Sequence, residues 1–366
     1  MCFPPTSSHS HYVTFPPVHF LFVHRNISTI RSNNPNSTFL KIFRHAISHK
    51  NKPRDQDLRE MVEQFCEGNF LGLPESDSDA DVVILSLPYE LTTSYGQGTV
   101  NGPAACIEAS GQVELYDSLL DDDLPAGQTI LTANPWDGEG RTLEEQLQGI
   151  EKYLEEWLSG KAFPVVLGGE HGSLVAEMRA LSKHPTLMGD LANLTIVQID
   201  AHADLRDELD GEKYSHACAA RRALDEGVGE LIQIGIRAYS REEEEFIASD
   251  ERVNTWFARD LITPCGGEKV WKSLLKEISR IQGPVWLTLD IDGLDGTLVP
   301  NTGTPVPGGL TYWQAVEVIE TLFSADGCEV IGADVVEIVP GIESNLTQFT
   351  AAMLATKIIA AHIASV

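Results

Sequence analysis

The sequence predicts an α/β protein built on one doubly wound, parallel sheet, and three observations carry that expectation. Short apolar runs of strand length alternate with amphipathic stretches of helical period roughly eight times, with no internal repeat. Three of those runs end abruptly in acidic and histidine clusters, as strands of a parallel sheet do where their carboxyl ends open into a binding crevice. A chain of 366 residues with 42 % hydrophobic content is also long enough to fill a substantial core. A TIM barrel shares the same alternation and is the alternative fold.

Asp81 to Leu87 reads as the first strand, followed by a Gly-rich loop, Ser94 to Gly98, and a helix opening near Gly102-Pro103, where Pro suits the first turn. Gln128 to Thr132 is the second strand. Thr142 is the expected N-cap of the next helix, with Glu144 and Glu145 in the first turn and Leu143, Leu147, Ile150 and Leu154 at helical spacing. Phe163 to Leu167 is the third strand, and a helix covers Ser173 to Ser182. Strands are expected over Leu194 to Ile199, Leu231 to Ile236 and Asn254 to Phe257, with a helix over Arg241 to Ile247 between the last two. Lys269 to Ile281 reads as helix and Val285 to Leu289 as strand. Thr311 caps a helix reaching Phe323, Glu329 to Val336 is the last strand, and an Ala-rich helix from Asn345 closes the chain.

Charge marks a boundary. Residues 1–54 contain no acid but seven basic residues, so of 26 Lys and Arg only 26 − 7 = 19 stand against all 54 acids in the remainder, about −35 by formal count. This Pro-, Ser- and Asn-rich stretch lacks either periodicity, so residues 1–60 are expected to be a disordered extension, a transit peptide or a start-site artefact, and 61–366 the catalytic domain. The net charge of −28 argues against nucleic acid as a partner and favours small cations. No run reaches the ~18 apolar residues of a membrane span. The six cysteines are scattered, without a CxxC pair, which suits a reducing, cytoplasmic setting.

The chemistry lies in the clusters Gly168-Gly169-Glu170-His171-Gly172, Asp200-Ala201-His202-Ala203-Asp204 and Asp290-Ile291-Asp292. Asp200, His202 and Asp204 alternate by two, so in a continued strand they would share one face. Asp290 and Asp292, two carboxylates at the edge of a core, are costly unless something positive sits between them, and too few Lys or Arg lie nearby to supply it. Divalent cations do. Carboxylates mixed with imidazoles suit Mn²⁺ or a similar ion better than Ca²⁺ or structural Zn²⁺. Two such ions could hold a hydroxide between them, a nucleophile at neutral pH.

Together with Gly303-Thr304-Pro305-Val306-Pro307-Gly308-Gly309 and Ala333-Asp334-Val335-Val336-Glu337, these clusters resemble the ureohydrolases: arginases, agmatinases, formimidoylglutamases and relatives. The resemblance runs from about Val82 to the C-terminus. It implies a three-layer α/β/α fold with a mainly parallel, roughly eight-stranded sheet, assembled as a homotrimer or homohexamer. It also implies two Mn²⁺, with Ni²⁺ as the alternative, one held by His171, Asp200, Asp204 and Asp290 and the other by Asp200, His202, Asp290 and Asp292. By the same resemblance Glu337 pairs with the guanidinium of a small cationic substrate, and Asp204 and His216, which aligns with the family's proton-shuttling histidine, are the candidates for giving the departing amine its proton.

The loop Leu205 to Lys213 lacks the Asn- and Ser-rich pattern with which arginases read an amino acid, and its acids suit a distal amine. With the stretches Pro88 to Gly96 and Ser215 to Cys218, it resembles the agmatinase branch. The expected reaction is therefore agmatine to putrescine and urea, with the substrate's tail read by the loops around Tyr95 and Lys213. Gly296, Val339 and Ile107 depart from the family's usual residues and leave guanidine, arginine or guanidino acids as alternatives. A single-zinc deacylase and a catalytically silent binding homologue are the readings from other classes. Cys218 has no base partner in the sequence and is expected to be packing.

Overall fold

The computed structural model describes residues 68–366 apart from 75, 77, 78, 139–141 and 264–266. The expectation for residues 1–60 lies outside them.

Eight strands form the central sheet: β1 (Val82–Leu87), β2 (Ile130–Thr132), β3 (Phe163–Gly168), β4 (Thr195–Ile199), β5 (Glu230–Ile236), β6 (Val253–Phe257), β7 (Gly283–Asp290) and β8 (Cys328–Val336). All pair in parallel, in the order β2-β1-β3-β8-β7-β4-β5-β6. The architecture is three-layered, and the TIM-barrel alternative falls.

The apolar runs become central strands because both of their faces are covered. Along β1, Ile84 packs into one core while Val83 and Leu85 pack into the other, and β3 and β4 divide their residues in the same way. One face is covered by α1 (Gly102–Ser110), α7 (Gly267–Ile278), α8 (Tyr312–Phe323) and α9 (Leu346–Ser365); the other by α2 (Leu143–Leu158), α3 (Leu174–Leu181) and α4 (Ala219–Asp225). Shorter helices, α5 (Arg241–Ser249) and α6 (Ala258–Ile262), flank β6. Thr142 and Thr311 cap α2 and α8 in reciprocal capping boxes.

Among the described residues α9 is long and apolar enough to cross a membrane by length and composition. Its apolar residues are instead built into the first core, where 72 % of its most apolar window is buried.

Sequence order departs from spatial order between β3 and β4, which lie on opposite sides of the β8-β7 pair. That is the topological switch point, where a doubly wound sheet leaves a crevice beyond its strand ends. Register then decides which residues meet there. Ile199 pairs with Leu289 and Asp290 with Val336, so Asp200, Asp290 and Glu337 leave the sheet side by side.

Two glycines permit the close approach this requires. A Cβ on Gly169 would lie 1.9 Å from Tyr89 O, and one on Gly293 would lie 2.8 Å from Asp200 N. Gly169→Ala is therefore expected to cost at least the roughly 1–3 kcal/mol typical of overpacking. Gly296, with nothing within 4 Å of its Cβ position, is the control whose Ala variant leaves the urea midpoint unchanged. Equal midpoints for the two variants would refute the packing argument.

Candidate metal centre

The strand ends at Ile199, as expected, and Asp200, His202 and Asp204 follow it. Beyond it the chain is irregular, with only a bridge from His202 to Ala238, and Asp204 takes a left-handed conformation at φ 53°. The three side chains converge because the backbone turns them, not because a strand alternates. The reason is that Asp200 caps its own successor: Oδ1 accepts the His202 main-chain N–H at 2.6 Å, which a strand would not allow.

Asp200, His171, Asp290, Asp292, Asp204 and Glu337 are all buried, and His202 is partly open to solvent. His171 Nδ1 lies 3.0 Å from Asp204 Oδ2, 3.2 Å from Asp200 Oδ2 and 3.7 Å from Asp290 Oδ2. His202 Nδ1 lies 3.1 Å from Asp292 Oδ2. The ligand atoms fall into two groups, His171 with Asp200 and Asp204, and Asp200 with His202 and Asp292, each group within 4.8 Å. Asp200 is common to both. Asp290 stands beside the first group, its Oδ2 3.7 Å from His171 Nδ1, and its Oδ1 accepts the Asp292 N–H at 2.8 Å.

Two features fit metal ions to this cluster. His171 Nδ1 and Asp292 Oδ2 are buried without a hydrogen-bond partner, although carboxylate or imidazole atoms crowd them. The His171 ring is also set for coordination. Its Nε2 lies 2.9 Å from Thr288 Oγ1, whose single hydrogen is given to Asp334 Oδ1 at 2.7 Å. Thr288 can then only accept from the ring, so in the neutral imidazole Nε2 carries the proton and Nδ1 offers its lone pair for a ligand role, although Asp200 and Asp204 favour a second proton there against the effect of burial.

Electrostatics point the same way. Burial pushes the Asp204 carboxyl up to about 7 and Asp200 adds to the shift; burial, then Asp292 and Asp200, pushes Asp290 well above the carboxylate range. Burial opposes charge on His202, but Asp292 and Asp200 overcome it and raise the imidazole to about 11. Burial likewise disfavours the charged Asp200, yet His171 and His202 hold its pKa down. So much buried negative charge is stable only against protons or cations.

Residues 80–361 match the model of the arginase family. The chain belongs to that family. It is similar to the N(1)-aminopropylagmatine ureohydrolase of Synechocystis sp., at 34 % identity over 81 % of this chain and 92 % of the relative. It is also similar to the agmatinase of Pyrococcus horikoshii, at 33 % identity over 77 % and 92 % of the two chains. The solved agmatine ureohydrolase of Thermoplasma volcanium superposes with a TM-score of 0.64 at 28 % identity, covering 84 % of this chain and 98 % of that one. This arginase-family chain is thus a ureohydrolase, a hydrolase of guanidino C–N bonds.

A cavity of about 440 Å³ opens onto the cluster, lined by His171, His202, Asp204, Asp290, Glu337 and His216. Glu337, at φ 61°, accepts the His171 main-chain N–H at 2.8 Å on Oε1, while Oε2 takes no hydrogen bond among the described residues. Burial raises its carboxyl to about 8. His216 is half-buried, 3.3 Å by Nε2 from Ser94 Oγ, and burial lowers its pKa. Cys218 is buried, its thiol pushed up to about 12 by burial, as a packing residue should be.

The loops expected to read the substrate's tail border the cavity: Ser94, beside Tyr95, and Arg206, Leu209 and Asp210, of the stretch ending at Lys213, form its wall with Tyr239, Glu243 and Thr304, while Tyr95 itself is 83 % exposed and Lys213 lies outside the lining. Two residues escaped the sequence reading. Arg237 supplies a cation behind the site, but spends its donors on main-chain oxygens, including Asp292 O and Val306 O at 2.7 Å each. Glu170 sits in the Gly168 to Gly172 cluster that was read for His171 alone.

Removal of Asp200 from both groups should abolish metal loading in Asp200→Asn, whereas His202→Asn should retain about one ion of two per chain by elemental analysis. Equal loss in both would refute the shared role. Because metal-free His202 is protonated at neutral pH, loading must displace that proton. Calorimetry in buffers of different ionisation enthalpy should show proton release, with affinity rising as pH rises; uptake without release would overturn the assignment.

Proposed function

We propose that the chain hydrolyses a small guanidino compound with a cationic tail, agmatine first among them, to urea and the corresponding amine, with manganese as its metal. The observation that carries this reading is the free Glu337 Oε2 in a cavity where carboxylates converge and the lining cation Arg206 lies 3.6 Å from Glu243. A planar guanidinium directs paired N–H donors that such a carboxylate accepts. Asp210, exposed at the cavity rim, offers the tail's ammonium a partner.

When bound, two divalent ions held by His171, Asp200, His202, Asp204, Asp290 and Asp292 supply a nucleophile at neutral pH and stabilise developing negative charge. The remaining work belongs to the chain. Glu337 fixes the guanidinium plane, converting an encounter into a positioned reaction. The departing amine needs a proton, and His216, neutral by virtue of its lowered pKa, can take one up and hand it on. Asp204 lines the same space. A cytoplasmic homotrimer or homohexamer belongs to the same proposal.

The test is a urea-release screen of agmatine, N(1)-aminopropylagmatine, arginine, guanidine and guanidinobutyrate with manganese or nickel. Agmatine or its aminopropyl derivative should lead in kcat/KM; preference for arginine or guanidinobutyrate would refute the cationic-tail reading. Glu337→Ala should keep its metal and lose about 10²-fold or more in kcat/KM, the cost of unpairing a buried charge. Retained turnover would sink the role of Glu337.

A further inference from the structure

Glu170 is wholly buried beside the site and has no part in the chemistry above. Its Oε2 accepts the main-chain N–H groups of Leu91 at 2.9 Å and Thr92 at 2.7 Å, and its Oε1 accepts the Thr92 hydroxyl at 2.8 Å. Thr92 Oγ1 in turn accepts the His216 main-chain N–H at 2.9 Å and stands 3.3 Å from His216 Nδ1.

A threonine hydroxyl has one hydrogen and two lone pairs. Here the hydrogen goes to Glu170, whose carboxylate form is held by the donors of Leu91 and Thr92 against the upward pull of burial, and both lone pairs are left for donors from His216. We propose that Glu170, acting through the Thr92 hydroxyl, holds neutral His216 in the Nδ1–H tautomer. Nε2 is then the basic nitrogen, 3.3 Å from the hydroxyl of the cavity-lining Ser94. Ser215 Oγ lies 3.4 Å from Nδ1, but a hydroxyl free to rotate can give or accept and does not select a tautomer.

Glu170 is thus a positioning residue. It ties the loop after β1 to the end of β3 and, through one shared hydroxyl, decides which ring nitrogen can exchange protons with the cavity. The catalytic meaning of this arrangement rests on His216 as the proton carrier proposed above; the tautomer itself does not.

The experiment is a long-range proton–nitrogen NMR spectrum of the full chain, labelled with ¹⁵N-histidine, loaded with diamagnetic Zn²⁺ and held at mildly alkaline pH. The His216 signals are assigned by their loss in His216→Asn. Wild type should show a protonated Nδ1 and an unprotonated Nε2. In Glu170→Gln the carboxamide can donate to Thr92 Oγ1, freeing the hydroxyl hydrogen for Nδ1, so the pattern should invert. Thr92→Ser should preserve the wild-type pattern and turnover. Thr92→Val, of similar volume and without the hydroxyl, should lose the tautomer preference, with kcat lowered on the order of 10²-fold and KM nearly unchanged. An Nε2–H tautomer in wild type, or an unaltered pattern in Thr92→Val, would overturn the proposal. Should Glu170→Gln not fold, the Thr92 pair decides alone. A chain inactive on every guanidino compound would refute the proposed reaction, and the spectra would still decide the tautomer.

Discussion

The structure is organised around the cost of gathering carboxylates where water cannot reach them. Asp200, Asp204, Asp290, Asp292 and Glu337 occupy one crevice with two imidazoles, and all five acids are almost fully buried. Such a cluster is stable only if cations or protons compensate it. Burial pushes the carboxyls of Asp204, Asp290 and Glu337 upward, so each favours a proton or a cation as its partner. The centre of the sheet serves to keep those groups at fixed separation, since β3, β8, β7 and β4 are neighbours and their register brings the acids out together.

Behind the cluster, polar groups are arranged so that two histidines, His171 and His216, each have one favoured tautomer. Asp334 accepts from Thr288 and from the Trp286 indole, both at 2.7 Å, and so dictates the proton on His171. Glu170 and Thr92 stand in the same relation to His216. In both cases a buried carboxylate, unable to donate, takes the only hydrogen of a threonine and thereby polarises the histidine beyond it. Arg237 serves differently, cross-linking the Asp292 turn to the loop at Val306 through main-chain oxygens.

Much of this was legible in the residues. Strands buried on both faces are written as unbroken apolar runs, and the N-caps Thr142 and Thr311 announce their helices, so the element order could be read directly. The short helix α4 was not, because its seven residues hold too few turns to show a period. The strand's end at Ile199 was legible too, but not that a carboxylate bonding its own backbone turns Asp200, His202 and Asp204 together beyond it. The loops around Tyr95 and Lys213 do border the cavity, but nothing in their local sequence says that Ser94 and Asp210, not Tyr95 and Lys213, form its wall.

By itself the sequence determined the α/β class, the strand ends at which chemistry occurs and the donor types gathered there, because periodicity and side-chain chemistry are local properties. Only the tertiary structure decided how closely the two ligand groups meet at Asp200, that Glu337 keeps one oxygen free, and that Thr92, 124 positions away, meets His216. Those facts depend on register, on close approaches such as Gly169 to Tyr89, and on hydrogen bonds between distant segments. None of these is encoded in any one stretch of chain; they arise when the strands pair and the crevice at the switch point closes around its acids.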